Sequence, residues 1–145
     1  MRILILEDEP LVAVTLKALL GEAGHVVLGP ATSCERAMKI AEGDRPDALF
    51  TNINLGVGTD GVTCSQSFLD LKIPAVFVTG SREDAFAARD MAVGYLCKPC
   101  DPDQVGAAVS AVEKIIAGEA PGPDVPGFVL FSEGLEKFRE RVAGP

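Results

Sequence analysis

Short apolar runs alternate with helical patterns along the first 118 residues. The apolar runs lie at residues 3–6, 26–28, 48–50, 75–78 and 95–96 and are typical of buried strands. Between them, apolar positions recur at three- and four-residue spacings, which is the period of a helix with one buried face. This pattern predicts helices over residues 10–20, 32–42, 62–71, 81–92 and 101–116.

Five strands alternating with five helices predict an α/β domain with a parallel sheet covered by helices on both faces. The nearly continuous apolar character of the strands fits burial on both sides. For five strands, the expected topology is the flavodoxin-like order 2-1-3-4-5, with a ligand crevice between strands 1 and 3. We therefore expect functional side chains at the carboxyl ends of the strands.

The composition changes after Gly118. A proline- and glycine-rich segment at 120–123 cannot continue a helix. It is followed by an apolar stretch at 127–131, which predicts a short strand, and by a helical pattern over 132–142, which predicts a short helix. The sequence thus predicts a domain at 1–118 and a C-terminal extension at 119–145. The apolar stretch should be covered, either by the chain's own domain or by a partner's sheet edge or groove.

Charge and hydropathy exclude several classes of protein. Twenty-one acidic against thirteen basic residues give a net charge of −8, which disfavours nucleic acid or an anionic membrane as a partner. No apolar run approaches the roughly 20 residues of a membrane span. The first apolar run ends at Glu7 and Asp8, unlike a signal peptide, so we expect a cytoplasmic protein.

Polar residues follow the predicted strands where each strand ends. Glu7 and Asp8 follow strand 1, and Asn52 and Asn54 follow strand 3. Strand 4 ends at Thr79, and strand 5 is followed by Lys98. Carboxylate and amide oxygens are ligands that suit Mg²⁺, while a lysine and a threonine suit phosphoryl oxygens. The sequence therefore predicts a crevice for a metal ion and a phosphoryl group.

Four segments carry a resemblance to a known family. They are ILEDEP at 5–10, PDALFTNINL at 46–55, VTG at 78–80 and GYLCKP at 94–99. Together and in this order they resemble the CheY-like receiver domain of bacterial response regulators, over residues 1–118. The resemblance implies a two-component signalling protein that is not an enzyme. It also implies a sensor histidine kinase or another signalling protein as partner.

The resemblance assigns a role to each residue of the crevice. In the family, a kinase passes a phosphoryl group to an aspartate at the end of strand 3, with the help of Mg²⁺. It implies that Glu7, Asp8, the residue at 52 and the carbonyl of Asn54 hold the metal ion. Thr79 and Lys98 would contact the phosphoryl group, and Tyr95 would be the aromatic switch. The Lys98–Pro99 peptide bond is expected to be cis. Homodimers are expected through the fourth helix, fifth strand and last helix of the domain, or through the C-terminal extension.

Asn52 stands at the acceptor position, where the family has Asp. A carboxamide carries no charge and its nitrogen lone pair is delocalised, so we expect neither phosphorylation there nor strong Mg²⁺ binding. Three interpretations stay open. The chain is a pseudo-receiver, or an ordinary receiver with an engineered Asp-to-Asn change, or a receiver phosphorylated at Thr51 or Asp8 instead.

The cysteines suggest an interpretation of another class. Cys97 and Cys100 form a C-x-x-C at a strand end, which is compatible with a thiol redox-responsive module. The structural interpretation of the same residues is that they fill buried positions beside the Lys-Pro pair. Cys34 and Cys64 have no suitable partners by spacing and are predicted to be unpaired.

Overall fold

The computed structural model describes residues 1–56, 59–123 and 126–144. The strands are β1 (Arg2–Leu6), β2 (Val26–Ala31), β3 (Ala48–Thr51), β4 (Asn54–Leu55), β5 (Thr59–Asp60), β6 (Ala75–Thr79), β7 (Gly94–Cys97) and β8 (Phe128–Leu130). The helices are α1 (Pro10–Glu22), α2 (Cys34–Gly43), α3 (Gly61–Asp70), α4 (Arg82–Ala87), α5 (Pro102–Ile116) and α6 (Ser132–Ala143). None of the described helices is both long and apolar enough to cross a membrane.

The main sheet has the strand order β2-β1-β3-β6-β7-β8. Its first five strands run parallel. Within the described residues, strands β4 and β5 pair only with each other, so β6 and β7 are the fourth and fifth strands of the main sheet, and the predicted flavodoxin-like order 2-1-3-4-5 is confirmed. The sixth strand, β8, pairs antiparallel with β7 and comes from the C-terminal extension. The predicted five-stranded sheet is therefore extended by one strand at the β7 edge.

Apolar side chains fill both faces of the sheet, which is why the strands read as continuous apolar runs. One core lies under α1 and α5 and includes Ile5, Phe50 and Val112. The other lies under α2, α3 and α4 and includes Leu4 and Phe77. Alternate residues of each strand enter opposite cores, as the pleat requires. These two layers hold the carboxyl ends of β1, β3, β6 and β7 at one edge of the molecule.

The described helix starts lie within one residue of the predicted boundaries, with α2 as the exception. Asp101 and Gln104 form a capping box at α5, and the Ser81 side chain caps α4 by accepting from the Asp84 N–H. At α2 the cap is Ser33, which accepts from the Arg36 N–H, so this helix begins at Cys34, two residues after the predicted start at residue 32.

Helix α4 ends at Ala87, five residues before the predicted end at Ala92. The chain continues in turns, in which the Met91 N–H donates to the Ala88 carbonyl. These turns receive helix α6: a Cβ added at Gly134 would lie 1.6 Å from the Ala92 carbonyl oxygen. The turns after α4 are therefore part of the surface against which the extension packs.

The prediction that Cys34 and Cys64 are unpaired was wrong. Cys34 begins α2 and Cys64 lies fully buried in α3, and the two form a disulfide with Cα atoms 5.6 Å apart. Helices α2 and α3 lie side by side on the same face of the sheet, and both cysteines belong to the same core. A sequence separation of 30 residues contains no sign of this proximity.

Candidate functional site

The crevice at the carboxyl ends of β1 and β3 gathers five polar residues. Glu7 and Asp8 follow β1, Asn52 follows β3, Asn54 lies in β4, and Lys98 follows β7. Glu7 is 3% exposed and Asn52 is 6% exposed, so both polar groups need partners inside the protein. The structure thus places together five of the residues that the sequence predicted for this crevice.

The side-chain amide of Asn52 connects the acidic residues. Its Nδ2 donates to Glu7 Oε2 at 2.9 Å and to the Asn54 carbonyl at 3.1 Å. It also lies 3.5 Å from Asp8 Oδ1, at the outer limit of a hydrogen bond. An electropositive N–H group therefore lies at the point where the proposed metal ligands converge.

Lys98 neutralises the other side of Glu7. Its Nζ lies 2.6 Å from Glu7 Oε1, an oxygen with no other donor among the described residues. Lys98 also lies 3.4 Å from Glu9 Oε1 on the exposed side of the crevice. Glu9 is a site residue that no sequence pattern predicted, although it follows the acidic pair directly. A buried carboxylate such as Glu7 is tolerated because the amide and the ammonium group both face it.

Asp8 is the more accessible carboxylate. Burial acts to raise the pKa of Asp8, but hydrogen bonds outweigh it and leave that pKa below its ordinary value. The Gly56 N–H donates to Asp8 Oδ2 at 3.1 Å, and the Asn52 amide adds to the effect. Asp8 is therefore ionised at neutral pH and helps to hold Gly56, the residue after β4, against the crevice.

Thr79 and Tyr95 lie beside the crevice on β6 and β7. Thr79 is buried, and its Oγ1 accepts a hydrogen bond from the Ser81 N–H at 3.1 Å. Its carbonyl accepts from the Lys98 N–H at 2.9 Å, which connects the two strand ends. The Lys98–Pro99 bond is cis, as the resemblance implied.

Tyr95 points into an aromatic cluster away from the acidic residues. Its ring stacks on Phe131 with centroids 5.7 Å apart and meets the edge of Phe86 at 5.8 Å. Arg82 lies over the Phe86 ring, and its guanidinium group is 3.5 Å from the tyrosine hydroxyl. Tyr95 is thus buried, and one of its two aromatic neighbours comes from the C-terminal extension.

The donor set, as these side chains stand, does not fit a Mg²⁺ ion. Within the described residues, no group of three or more His, Cys, Asp or Glu side chains is placed to hold a metal. The oxygens of Glu7 and Asp8 and the Asn54 carbonyl already face the Asn52 amide, and the remaining Glu7 oxygen faces Lys98. The crevice therefore satisfies its acidic groups through the protein's own nitrogen donors.

Cys97 and Cys100 are free thiols beside the site, and both are half-buried. Burial raises the pKa of Cys100 to about 11, and nearby Lys98 only partly offsets it. A thiol is reactive as the thiolate, so a raised pKa disfavours the redox interpretation of this pair. The Cys100 thiol lies 3.8 Å from the Cys97 carbonyl, which accounts for its position without a chemical role.

We predict that Cys100 is alkylated slowly at neutral pH. With a pKa of about 11, the thiolate fraction and the rate with iodoacetamide should rise about tenfold per pH unit between pH 7 and 10. Peptide mapping measures the rate at this residue, and a Cys100→Ser variant identifies its contribution. A rate at pH 7 equal to that of an unstructured cysteine peptide would contradict the prediction.

Comparison with known proteins identifies the family. The family model described as the response regulator receiver domain matches residues 3–110. The chain belongs to the response regulator receiver family. Members of this family are signalling domains of two-component systems, which interact with kinases or other signalling proteins, and they typically bind Mg²⁺ at the acidic pocket.

Relatives of known name agree with this assignment. The receiver is 36% identical over 111 residues to the phyllosphere-induced regulator PhyR of Methylorubrum extorquens, covering 74% of this chain and 42% of PhyR. It is 32% identical over 150 residues to the transcriptional regulatory protein PdtaR of Mycobacterium tuberculosis, covering 99% of this chain and 71% of PdtaR. The chain spans less than half the length of the first curated relatives that it matches.

Solved structures agree as well. The response regulator PhyR from Brucella abortus is 30% identical with a TM-score of 0.62, over 74% of this receiver and 45% of that chain. A two-component response regulator from Clostridium difficile is 25% identical with a TM-score of 0.68, over 78% of this receiver and 95% of that chain. The family resemblance stated from the four sequence motifs is confirmed.

Proposed function

We propose that this chain is a pseudo-receiver, which transmits signals through protein–protein contacts without accepting a phosphoryl group at residue 52. The observation that supports this function is the hydrogen-bonded position of the Asn52 amide between Glu7, Asp8 and the Asn54 carbonyl. The amide offers no anionic oxygen for an acyl phosphate. Its partners also keep it fixed, since it is nearly fully buried.

The surrounding charges fit the same proposal. Lys98, which would contact a phosphoryl group by family resemblance, is paired with Glu7 and Glu9. The acidic residues that would hold Mg²⁺ are compensated by Asn52 and Lys98. The proposed ligands Glu7, Asp8, Asn52 and Asn54 should therefore bind Mg²⁺ only weakly. Thr79 and Tyr95, on β6 and β7 beside the crevice, are the proposed switch residues of this receiver.

The partner we propose is a sensor histidine kinase or another signalling protein, met in the cytoplasm. The net charge of −8 disfavours nucleic acid and anionic membrane as partners of the described surface. The proposed division is a receiver at 1–118 and an extension at 119–145. In this arrangement the pseudo-receiver sequesters a kinase or holds a partner in one conformational state. It does so because phosphorylation of residue 52 is not available to switch the receiver.

Incubation of the full chain with a small-molecule phosphodonor and Mg²⁺ tests the proposal. We expect no increase of the intact mass by one phosphoryl group, because residue 52 has no nucleophilic oxygen. The matched control is the Asn52→Asp variant, treated in the same way, which should gain the phosphoryl mass on the introduced aspartate.

Three outcomes are distinguishable by peptide mapping. A phosphoryl group on residue 52 of the unmodified sequence would overturn the proposal. Modification of Thr51 or Asp8 would replace it with phosphorylation at a neighbouring residue. An unchanged mass beside a modified control supports the pseudo-receiver.

A further inference from the structure

The C-terminal residues 126–143, hereafter the tail, are seated on the sheet through backbone pairing. Strand β8 runs antiparallel along β7, with Tyr95 opposite Val129. Two further bonds extend the pairing: the Cys97 N–H donates to the Gly127 carbonyl, and the Phe131 N–H donates to the Val93 carbonyl. Without the tail, β7 would be an edge strand with unpaired backbone groups.

Two aromatic side chains anchor the tail on opposite faces of the sheet. Phe128 and Phe131 are each 2% exposed. Phe128 enters the core under α5, and Phe131 enters the core next to α4, where it stacks on Tyr95. Burying a side chain of this size contributes roughly 1.5–3 kcal/mol. The tail is therefore held chiefly by apolar burial on both sides of β7.

Two glycines allow the tail to pack closely against β7 and the turns after α4. At Gly94, a Cβ would come within 2.5 Å of the Val129 carbonyl oxygen and 2.9 Å of the Phe128 ring. At Gly134, a Cβ would come within 1.6 Å of the Ala92 carbonyl oxygen. Any other residue at either position would force the tail away from the sheet. The contact is thus specific to this sequence on both of its sides.

Exposed ion pairs complete the contact along α6. They join Arg89 to Glu133, Asp90 to Lys137 and Asp70 to Arg141. Exposed pairs of this kind contribute little stability, but they align the helix on the turns after α4 and on the end of α3. The tail thereby covers a continuous surface of the receiver: β8 lies on the β7 edge beside α4 and α5, and α6 continues over the turns after α4 to the end of α3.

We propose that the tail is a detachable intramolecular ligand of the α4–β7–α5 face. While it is docked, it closes this face and holds the Tyr95 ring between Phe131 and Phe86. Its release is the conformational step that exposes the face to a signalling partner. This last step rests on the proposed function, in which residue 52 accepts no phosphoryl group and another event must shift the receiver between states.

A detachable tail must open without unfolding the rest of the receiver. Native-state amide exchange of the full chain, followed by NMR, measures this directly. The Phe131 amide reports the tail junction, and the Leu49 amide, bonded to the Pro74 carbonyl, reports the centre of the sheet. We expect Phe131 to exchange at least about tenfold faster than Leu49, through a local opening. Equal opening of both amides would overturn the proposal, because the tail would then be an inseparable part of the fold.

Fluorescence tests whether the docked tail shields the Tyr95 ring from solvent. The emission can be assigned to Tyr95 because the chain has one tyrosine and no tryptophan. Gly134→Ala places a methyl group against the Ala92 carbonyl and should release α6. We expect acrylamide to quench Tyr95 emission more strongly in this variant. The matched control is Gly106→Ala, the same change in helix α5, where an added Cβ meets nothing within 4 Å and quenching should stay unchanged.

A milder variant keeps the test decisive if Gly134→Ala fails to fold. Phe131→Leu keeps an apolar side chain but removes the ring that stacks on Tyr95, so quenching should again increase. Unchanged shielding of Tyr95 in a variant whose tail amides exchange freely would overturn the proposal. No phosphodonor is present in these measurements, so they can fail while the proposed function stands, and the reverse also holds.

Discussion

Replacing Asn52 by Asp is expected to lower the midpoint of thermal unfolding in EDTA and to make that midpoint depend on Mg²⁺. The change removes the donor that faces Glu7 Oε2 at 2.9 Å and puts a third carboxylate beside Glu7 and Asp8. The lost hydrogen bonds and the closely spaced like charge together lower the free energy of unfolding by about 2–4 kcal/mol. For a chain of this size, such a loss lowers the midpoint of thermal unfolding by roughly 5–15 °C.

Added Mg²⁺ should restore much of this loss in the Asn52→Asp variant. A ligand that binds the folded state alone adds about 2.7 kcal/mol at a hundred times its dissociation constant. The unmodified sequence should show little response, because its amide already faces the acidic groups. Differential scanning calorimetry of both proteins in EDTA and in Mg²⁺ measures the four midpoints. An equal shift with Mg²⁺ in both would contradict the assignment of Asn52 as the group that replaces the cation.

Reduction of the Cys34–Cys64 disulfide is expected to destabilise the receiver by about 3–4 kcal/mol, from the chain entropy that the crosslink removes from the unfolded state. The bond closes a loop over a sequence separation of 30 residues and ties α2 to α3. Disulfides persist under oxidising conditions and are lost under reducing ones, so the stability of the receiver should depend on the redox state of this pair. Urea unfolding with and without dithiothreitol measures the difference in the free energy of unfolding.

Cysteine variants assign that effect to one pair. A Cys34→Ala, Cys64→Ala double variant should unfold at the same urea concentration with and without dithiothreitol. A Cys97→Ser, Cys100→Ser double variant is the matched control, because those thiols are free and the sensitivity to reductant should remain. A reductant effect that survives in the first variant and disappears in the second would contradict the assignment.

The five parallel strands, their order and the meeting of polar residues at their carboxyl ends could be predicted, because each depends on a local pattern. Buried parallel strands have continuous apolar sequences. Because the carboxyl ends of parallel strands meet at one edge of the sheet, Glu7, Asn52 and Lys98 were expected to lie together. The direct contact between the Asn52 amide and Glu7 could not be predicted, since it depends on one side-chain rotamer. Glu9 was missed because the residue after an acidic pair carries no pattern that assigns it to Lys98.

The features that were wrong or incomplete depend on contacts between distant segments. The pairing of Cys34 with Cys64 requires two helices to lie side by side, which no spacing in the sequence reveals. Helix α4 ends at Ala87 rather than at Ala92, and the turns that follow it contact α6 of the distant C-terminal extension at Gly134. The apolar stretch containing Phe128 was expected to be covered, but the sequence left open whether its own domain or a partner covers it.

The two outer strands of the main sheet limit aggregation between copies of the protein. At one end, β8 is only three residues long and so presents very little free backbone. At the other end, β2 contains Pro30, which has no N–H to donate to an approaching strand. Short edge strands and prolines in edge strands are two means by which proteins prevent sheets of different molecules from pairing edge to edge. By covering the longer β7 edge with such a short strand, the extension should also help the protein to remain dispersed at high concentration.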